Sequence, residues 1–217
     1  MAKARQKRAV VDKWKKKKKF SIIGPKAVGN VELGETISEK PELVVGRTIK
    51  ANMGQLTNQA RKKNVDLTFK VREVQGSNAN TELVGYEVKS SFLRRLFRRK
   101  SSKIETVQYL RTKDRRRVKI KAVVVTQRKV EIKKQKDIRK MVMTNINSLT
   151  RRNSFESFMV HILEKDVFYH IVKDMKKIAP IKRTEIQLVK LLDQKWFFSF
   201  LFLFIWRGYY AEWYWRY

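Results

Sequence analysis

Arginine and lysine are the residues through which this chain could do chemistry. The run Arg94-Arg95-Leu96-Phe97-Arg98-Arg99-Lys100 sets four guanidinium groups around two apolar anchors. Continued as a helix, it would stack Arg94 on Arg98 and Arg95 on Arg99 as two i,i+4 ridges. Arg115, Arg116 and Arg117 stand together at an expected hairpin tip and lead into Lys119 and Lys121. Arg128-Lys129, Lys133-Lys134, Lys136 and Arg139-Lys140 recur along the polar side of a helical pattern, and Arg151-Arg152 follows it. Lys15, Lys16, Lys17, Lys18 and Lys19 close a basic N-terminal stretch that includes Trp14. Guanidinium forks match phosphate oxygens in pairs, and every nucleic-acid phosphate neutralised releases counterion. One such cluster is an ordinary solvated face. Five of them, almost free of intervening acids, point to a polyanion. Nucleic acid fits better than a membrane, because the clusters are spread along the chain instead of lying on one amphipathic helix.

Other chemistries find little support. There are no cysteines, which removes disulfides, thiolate metal sites and cysteine nucleophiles together. His161 and His170 are the two histidines, nine residues apart and too distant in sequence for an i,i+4 zinc pair. Both lie in helical patterns rich in Leu, Ile and Phe, where partly buried histidines are common. Gly24 and Gly29 have the spacing of a phosphate loop, but Asn30-Val31 stands where Lys and Ser/Thr are required. Glu32, Glu35, Glu39 and Glu42 fall in a Gly/Pro-punctuated stretch among lysines, where solvated salt bridges are expected. No position gathers a nucleophile, a base and oxyanion donors. The expectation is a non-enzyme with no cofactor, no metal and no small-molecule substrate.

The charge sets the scale of the problem. Of 217 residues, 52 are Lys or Arg and 20 are Asp or Glu, a formal net charge of +32. Self-repulsion of this size disfavours a compact state unless a polyanion neutralises it. A 42% hydrophobic fraction still allows a core. Residues 1–19, with ten basic side chains and one acid, read as an arm that is disordered until bound. Trp14 is available there to stack on a base or to pack on the core. Residues 193–217 hold 13 of the 24 aromatics at a net charge of only +1. The apolar run from Trp196 to Trp206 is 11 residues, short of the ~20 a spanning helix needs. Three readings stay open for this tail: a membrane anchor, an extension docked in a protein interface, and an accidental sequence from a shifted or misassembled reading frame. The abrupt change after Leu192 favours the last, a spurious or poorly ordered segment.

Between these ends the pattern is α+β. Val65, Leu67, Phe69 and Val71 alternate with polar residues, as do Val118, Ile120, Ala122 and Val124, which marks half-buried strands. Val44–Lys50, Leu83–Val88 and Ile104–Leu110 are weaker candidates. Turn chemistry lies at Gly76-Ser77-Asn78 and at Lys113-Asp114. Short strands at this spacing predict a small β-barrel or curled sheet. The period then changes to helical. Ile138, Met141, Val142, Ile146 and Leu149 form one stripe, and Phe155, Phe158, Met159, Ile162 and Leu163 a second. Asn153 and Glu156 stand at capping-box spacing before the second stripe. Val167, Phe168, Ile171, Val172, Met175 and Ile178 make a third, which Pro180 ends. Residues 184–192 can return as a final strand. Residues 20–192 therefore read as one domain of β-sheet packed with C-terminal helices.

Several blocks resemble one family in collinear order. Asp12-Lys13-Trp14-Lys15, Gly24-Pro25 and Gly34-Glu35-Thr36 are similar to the opening of the archaeal and eukaryotic small-subunit ribosomal proteins called S-three-A-e, or e-S-one. Gly76-Ser77-Asn78-Ala79-Asn80-Thr81 with Gly85, and Leu93-Arg94-Arg95-Leu96 with Arg98-Arg99, resemble its middle signature. Thr112-Lys113-Asp114, Asp137-Ile138-Arg139-Lys140-Met141 and Lys176-Lys177-Ile178-Ala179-Pro180-Ile181-Lys182 resemble later blocks. The resemblance implies a β-barrel core with packed helices, bound to small-subunit rRNA on the platform near the mRNA exit beside neighbouring ribosomal proteins. It also implies a structural role in translation, in the cytoplasm, without catalytic activity; a free RNA-binding or ribosome-biogenesis factor on the same fold is the alternative. Trp14, Lys15–Lys19, Arg94, Arg95, Arg98, Arg99, Lys100, Arg115, Arg116, Arg117, Arg139 and Lys140 are the residues expected on the RNA, mostly on its phosphates. Two departures stand out. Arg115-Arg116-Arg117 occupies a turn where the family tends to have Gly and an aromatic, and the aromatic tail has no counterpart.

Overall fold

The computed structural model describes residues 14, 16–97, 99–164 and 166–192. The residues 1–13, Lys15, Arg98 and the aromatic tail from Asp193 onward, all singled out above, lie outside the described residues. The chain is α+β and divides into two compact units at Val84/Gly85.

The first unit contains β1 (Lys18–Ile23), β2 (Glu32–Ser38), β3 (Thr48–Asn52), α1 (Met53–Leu56), β4 (Val65–Gln75) and the start of β5 (Asn78–Val88). Its strands run in the order β2-β1-β5-β4-β3. The β1–β2 and β3–β4 pairings are antiparallel, whereas β1 meets Asn78–Asn80 of β5 in parallel. Alternation decides which way each strand faces. Val65, Leu67, Phe69 and Val71 of β4 are all buried, with polar neighbours between them at intermediate exposure. Phe20, Ile22, Val44, Val71 and Ala79 form one cluster of the core. The expected Gly76 turn is the β4–β5 hairpin, with Gly76 at φ +62°. The weak strand expected at Val44–Lys50 begins instead at Thr48, because Val44 leaves a short 3-10 turn (Pro41–Leu43) and buries its side chain in the core. Two further strands, β1 and β2, occupy a stretch read as basic arm and loop. Lys18 and Lys19 head β1, and Glu32 and Glu35 lie on β2 rather than in a loop. Glu35 still forms a solvated pair, with Lys19 at 3.4 Å. The Gly24–Gly29 segment is a hairpin connection closed by the Gly24 N–H on the Val31 carbonyl (2.9 Å) and opens no phosphate-binding helix.

The second unit takes the end of β5 and adds α2 (Ser90–Leu96), β6 (Lys103–Arg111), β7 (Arg117–Thr126), α3 (Ile132–Arg152), α4 (Phe155–Glu164), α5 (Tyr169–Ile178) and β8 (Ile181–Leu192). Gly85–Glu87 pair with β8, β8 with β7, and β7 with β6, all antiparallel. The two helical stripes fold as expected. Ile138, Val142 and Ile146 of α3 are buried, and so are Phe155, Phe158, Met159, Ile162 and Leu163 of α4. The third stripe is split: Asp166–Phe168 is a 3-10 turn, and α5 starts only at Tyr169. The N-cap of α4 is one residue later than the Asn153/Glu156 spacing suggests. Ser154 Oγ accepts from the Ser157 N–H at 3.3 Å, while Asn153 is extended and closes α3.

Candidate nucleic-acid interface

The hairpin β6–β7 is the frame on which the basic residues of the second unit are placed. Its tip, residues 112–116, is closed by Thr112 and Arg116, whose N–H and carbonyl meet at 3.0 Å. Two bonds tie the tip to the corner between α3 and α4. The Lys113 N–H donates to the Asn153 carbonyl at 3.2 Å, and the Phe155 N–H donates to Asp114 Oδ2 at 2.9 Å. Asp114 thus caps α4 from outside and brings a carboxylate to a helix N-terminus, where the macrodipole favours it. The cap fixes the direction of the tip that carries Arg115, Arg116 and Arg117. Arg115 takes φ +58°, the left-handed conformation natural to glycine, so the turn keeps a glycine-like backbone with arginine in it.

At the other end of the hairpin lies the second arginine group. Leu93 anchors α2 in the core while Arg94 and Arg95 are exposed. The helix stops at Leu96, and Phe97 is extended at φ −89°, ψ 132°. The expected Arg95/Arg99 ridge therefore does not form on one helix, since Arg99 and Lys100 belong to the turn that follows; the Arg94/Arg98 ridge falls on Arg98, outside the described residues. Basic side chains gather around this helix end. Lys182 Nζ takes the Leu96 carbonyl (3.3 Å), and Lys103 Nζ sits 4.6 Å from the Phe97 ring centroid. Arg95 and Arg183 both lie against Phe92, at 5.9 and 5.4 Å. β6 is nine residues long, so the α2 turn and the Arg115–Arg117 tip are separated by roughly 27 Å of strand. The structure does not bring these two clusters together.

The outward face of the hairpin connects them, joining Lys119 and Lys121, visible in the sequence, to Tyr109, which is not. On the outward face of the hairpin, Tyr109 pairs with Lys119, Val107 with Lys121 and Arg111 with Arg117. β8 extends these rows by Lys190, Leu188 and Leu192. Period-two spacing places Lys119 and Lys121 away from the core, but only the pairing register shows that Tyr109 stands in their row. Glu105 is the acid on this surface of β6. Its carboxylate is held by Lys103 and lies 3.4 Å from Lys121, and the Lys103 hydrogen bond in particular pulls its pKa below the ordinary carboxylate value.

The remaining expected contacts divide by environment. Trp14 is 65% exposed, with Lys17 Nζ 3.8 Å from its ring centroid. Lys16, Lys17, Lys18 and Lys19 are exposed. Arg139 is half-buried and spends its Nε on the Glu105 carbonyl (3.2 Å), so part of its guanidinium fastens α3 to β6. Lys140 is exposed on the rim of a groove of about 730 Å³ among α3, α4 and α5, floored by Met141, Leu149, Phe158 and Ile171. His161, expected to be partly buried, is exposed at the same rim; His170 lies on α5. Among the described residues no group of His, Asp or Glu is placed to hold a metal ion. Among the same residues, no helix is long and apolar enough to cross a membrane.

Comparison with known proteins decides the family. Residues 5–195 match the model of the Ribosomal S3Ae family. The chain belongs to that family. Among curated relatives, the small ribosomal subunit protein eS1 of Archaeoglobus fulgidus is 36% identical over 196 residues, covering 89% of this chain and 93% of the relative. The eS1 protein of Halorubrum lacusprofundi is 35% identical over 184 residues, 85% of this chain and 86% of the relative. That of Methanothermobacter thermautotrophicus is 32% identical over 194 residues, 89% and 99%. The S3Ae match ends three residues beyond β8 and leaves out most of the aromatic tail.

Proposed function

We propose that this S3Ae chain is a structural constituent of the small ribosomal subunit in translation. In this reading it is held by the rRNA backbone on the platform near the mRNA exit, beside neighbouring ribosomal proteins. The observation that carries the proposal is the family match across both compact units, on a chain of net charge +32. A charge of that sign and size needs a polyanion, and the archaeal relatives are named as small-subunit proteins. The protein works by position and charge, without a catalytic step or a cofactor, and is cytoplasmic and ribosome-bound.

Phosphate contacts are assigned to Lys15–Lys19, Arg94, Arg95, Arg98, Arg99, Lys100, Arg115–Arg117, Arg139 and Lys140, with Trp14 stacking beside them. Among the described residues, Arg94, Arg99, Lys100 and Arg115 meet no acidic side chain within ion-pair distance, which leaves their donors to an external anion. The logarithm of affinity for small-subunit rRNA should fall with the logarithm of salt by roughly 0.7–0.9 per phosphate neutralised. Replacing Arg94, Arg95, Arg98 and Arg99 together by Ala should lower that slope by roughly 3. Lys at the same positions should keep most of the slope but not the full affinity, since an ammonium lacks the bidentate fork. A folded alanine variant with an unchanged slope would show that the cluster faces solvent.

A further inference from the structure

We propose that the outward face of β6, β7 and β8 binds an unpaired RNA segment, with Tyr109 stacking on a base and Arg111, Lys119, Lys121 and Lys190 holding the flanking phosphates. The proposal rests on the ribosomal reading above and names a site and a ligand class within it.

The face is defined by register. Antiparallel partners project to the same side, so the row Tyr109–Lys119–Lys190 crosses three strands, with Val107–Lys121–Leu188 on one side and Arg111–Arg117–Leu192 on the other. The alternate residues of the same strands, Ile104 of β6, Val118 and Ile120 of β7 and Val189 of β8, are buried on the opposite face. The three rows span roughly 14 Å along the strands and 10 Å across them, room for about two or three nucleotides. Tyr109 is 67% exposed and Val107 45%, an unusual exposure for such side chains in the middle of a strand. Lys119 Nζ sits 5.5 Å from the Tyr109 centroid, so a cation already accompanies the ring without covering it.

Chemistry selects the occupant. An exposed aromatic ring flanked by cations is the device by which sheets take single strands, the ring meeting a base and the cations tracking the backbone. A paired helix hides its base faces in its own stack and would leave Tyr109 unused. A protein partner is disfavoured, because interface cores are depleted of lysine and this face has lysines at its centre. The face also runs between the α2 turn and the Arg115–Arg117 tip, so a strand laid along it meets basic residues at both ends.

The test uses the full chain and two labelled probes, a twelve-nucleotide oligoadenylate and a twelve-base-pair RNA duplex. Tyr109→Ala should weaken oligoadenylate binding roughly five- to a hundredfold, leave its salt slope unchanged and leave duplex binding within about twofold. Tyr109→Phe keeps the ring and should stay within about twofold of wild type. Lys119→Gln and Lys190→Gln should each lower the single-strand slope by roughly 0.7. Equal oligoadenylate affinity for Tyr109→Ala and wild type overturns the proposal, and so does an equal loss on both probes, which would mark a packing role. If the face substitutions spare oligoadenylate binding yet block entry into subunits, the face belongs to a protein neighbour and the proposal fails. Any of these failures leaves the ribosomal reading intact so long as wild-type protein co-sediments with small subunits. Loss of that co-sedimentation defeats the ribosomal reading whatever the oligonucleotide result.

Discussion

Asp114→Ala should both destabilise the second unit and weaken RNA binding, although it makes the protein more positive. Asp114 Oδ2 accepts the Phe155 N–H at 2.9 Å, and Phe155 is 1% exposed, so without the carboxylate this first N–H of α4 loses its protein acceptor at the edge of the core. A hydrogen bond to a charged group contributes about 1.5–3 kcal/mol, and a typical N-cap about 1 kcal/mol. Asp114 itself is exposed, so water replaces part of the bond, and a loss of about 1–2 kcal/mol is expected. Asp114→Asn retains an acceptor oxygen and loses only the charge facing the helix N-terminus, about 0.3–1 kcal/mol. For a chain of this size, the alanine variant should melt roughly 2–8 °C lower and the asparagine variant less than that. Urea unfolding of the three proteins measures the stabilities, and rRNA titration at fixed salt measures the consequence for binding. Removing an acid alone would tighten binding to a polyanion. Weaker binding by Asp114→Ala therefore reports the lost orientation of Arg115–Arg117. Unchanged stability together with tighter binding would refute the view that this cap holds the tip.

Other expectations follow from single positions. A Cβ on Gly54 would lie 2.8 Å from the Lys63 backbone N and Cα, so Gly54→Ala should cost about 1–3 kcal/mol in urea unfolding despite alanine's better helix propensity; a stabilised variant would contradict the geometry. Arg115→Gly relieves the positive φ and should gain about 0.5–1 kcal/mol while lowering the rRNA salt slope by roughly 0.7–0.9. Burial, aided by Glu185, raises the Tyr86 phenol above its ordinary value. The unfolded chain then releases that proton at about pH 10 while the folded chain keeps it, so this contribution is complete below pH 10 and is lost as pH rises above it. Tyr86→Phe should flatten that alkaline decline in a stability–pH series, and an unaltered decline would assign it to other groups.

Periodicity carried most of the fold because it reports which side of an element is buried. The alternation of Val65–Val71 and Val118–Val124 and the stripes of α3 and α4 survive in the structure almost residue for residue. Elements whose local pattern is overruled by partners were not legible. β1 opens on Lys18-Lys19 and β2 is interrupted by Gly34, so neither shows a clean alternation; pairing with each other, and of β1 with β5, makes them strands. The arginine run forms i,i+4 ridges only if it continues as a helix, and nothing local in the sequence says where such a helix ends. The helix ends at Leu96, whose carbonyl is taken by Lys182, 86 residues further along the chain. The same limit applies to the candidate site. Clusters contiguous in sequence were visible, whereas the Tyr109–Lys119–Lys190 row exists only once three strands are in register. The Asp114 cap spans 41 residues and had no local signal beyond the turn itself.

Sedimentation of small subunits through a high-salt wash tests the central claim most directly. The tagged full chain, expressed in cells of its own source, should migrate with small subunits in near-stoichiometric amount and stay with them after the wash. Release into the soluble fraction, or a peak only with precursor particles and none with mature subunits, would contradict the structural role and favour a free RNA-binding or assembly factor.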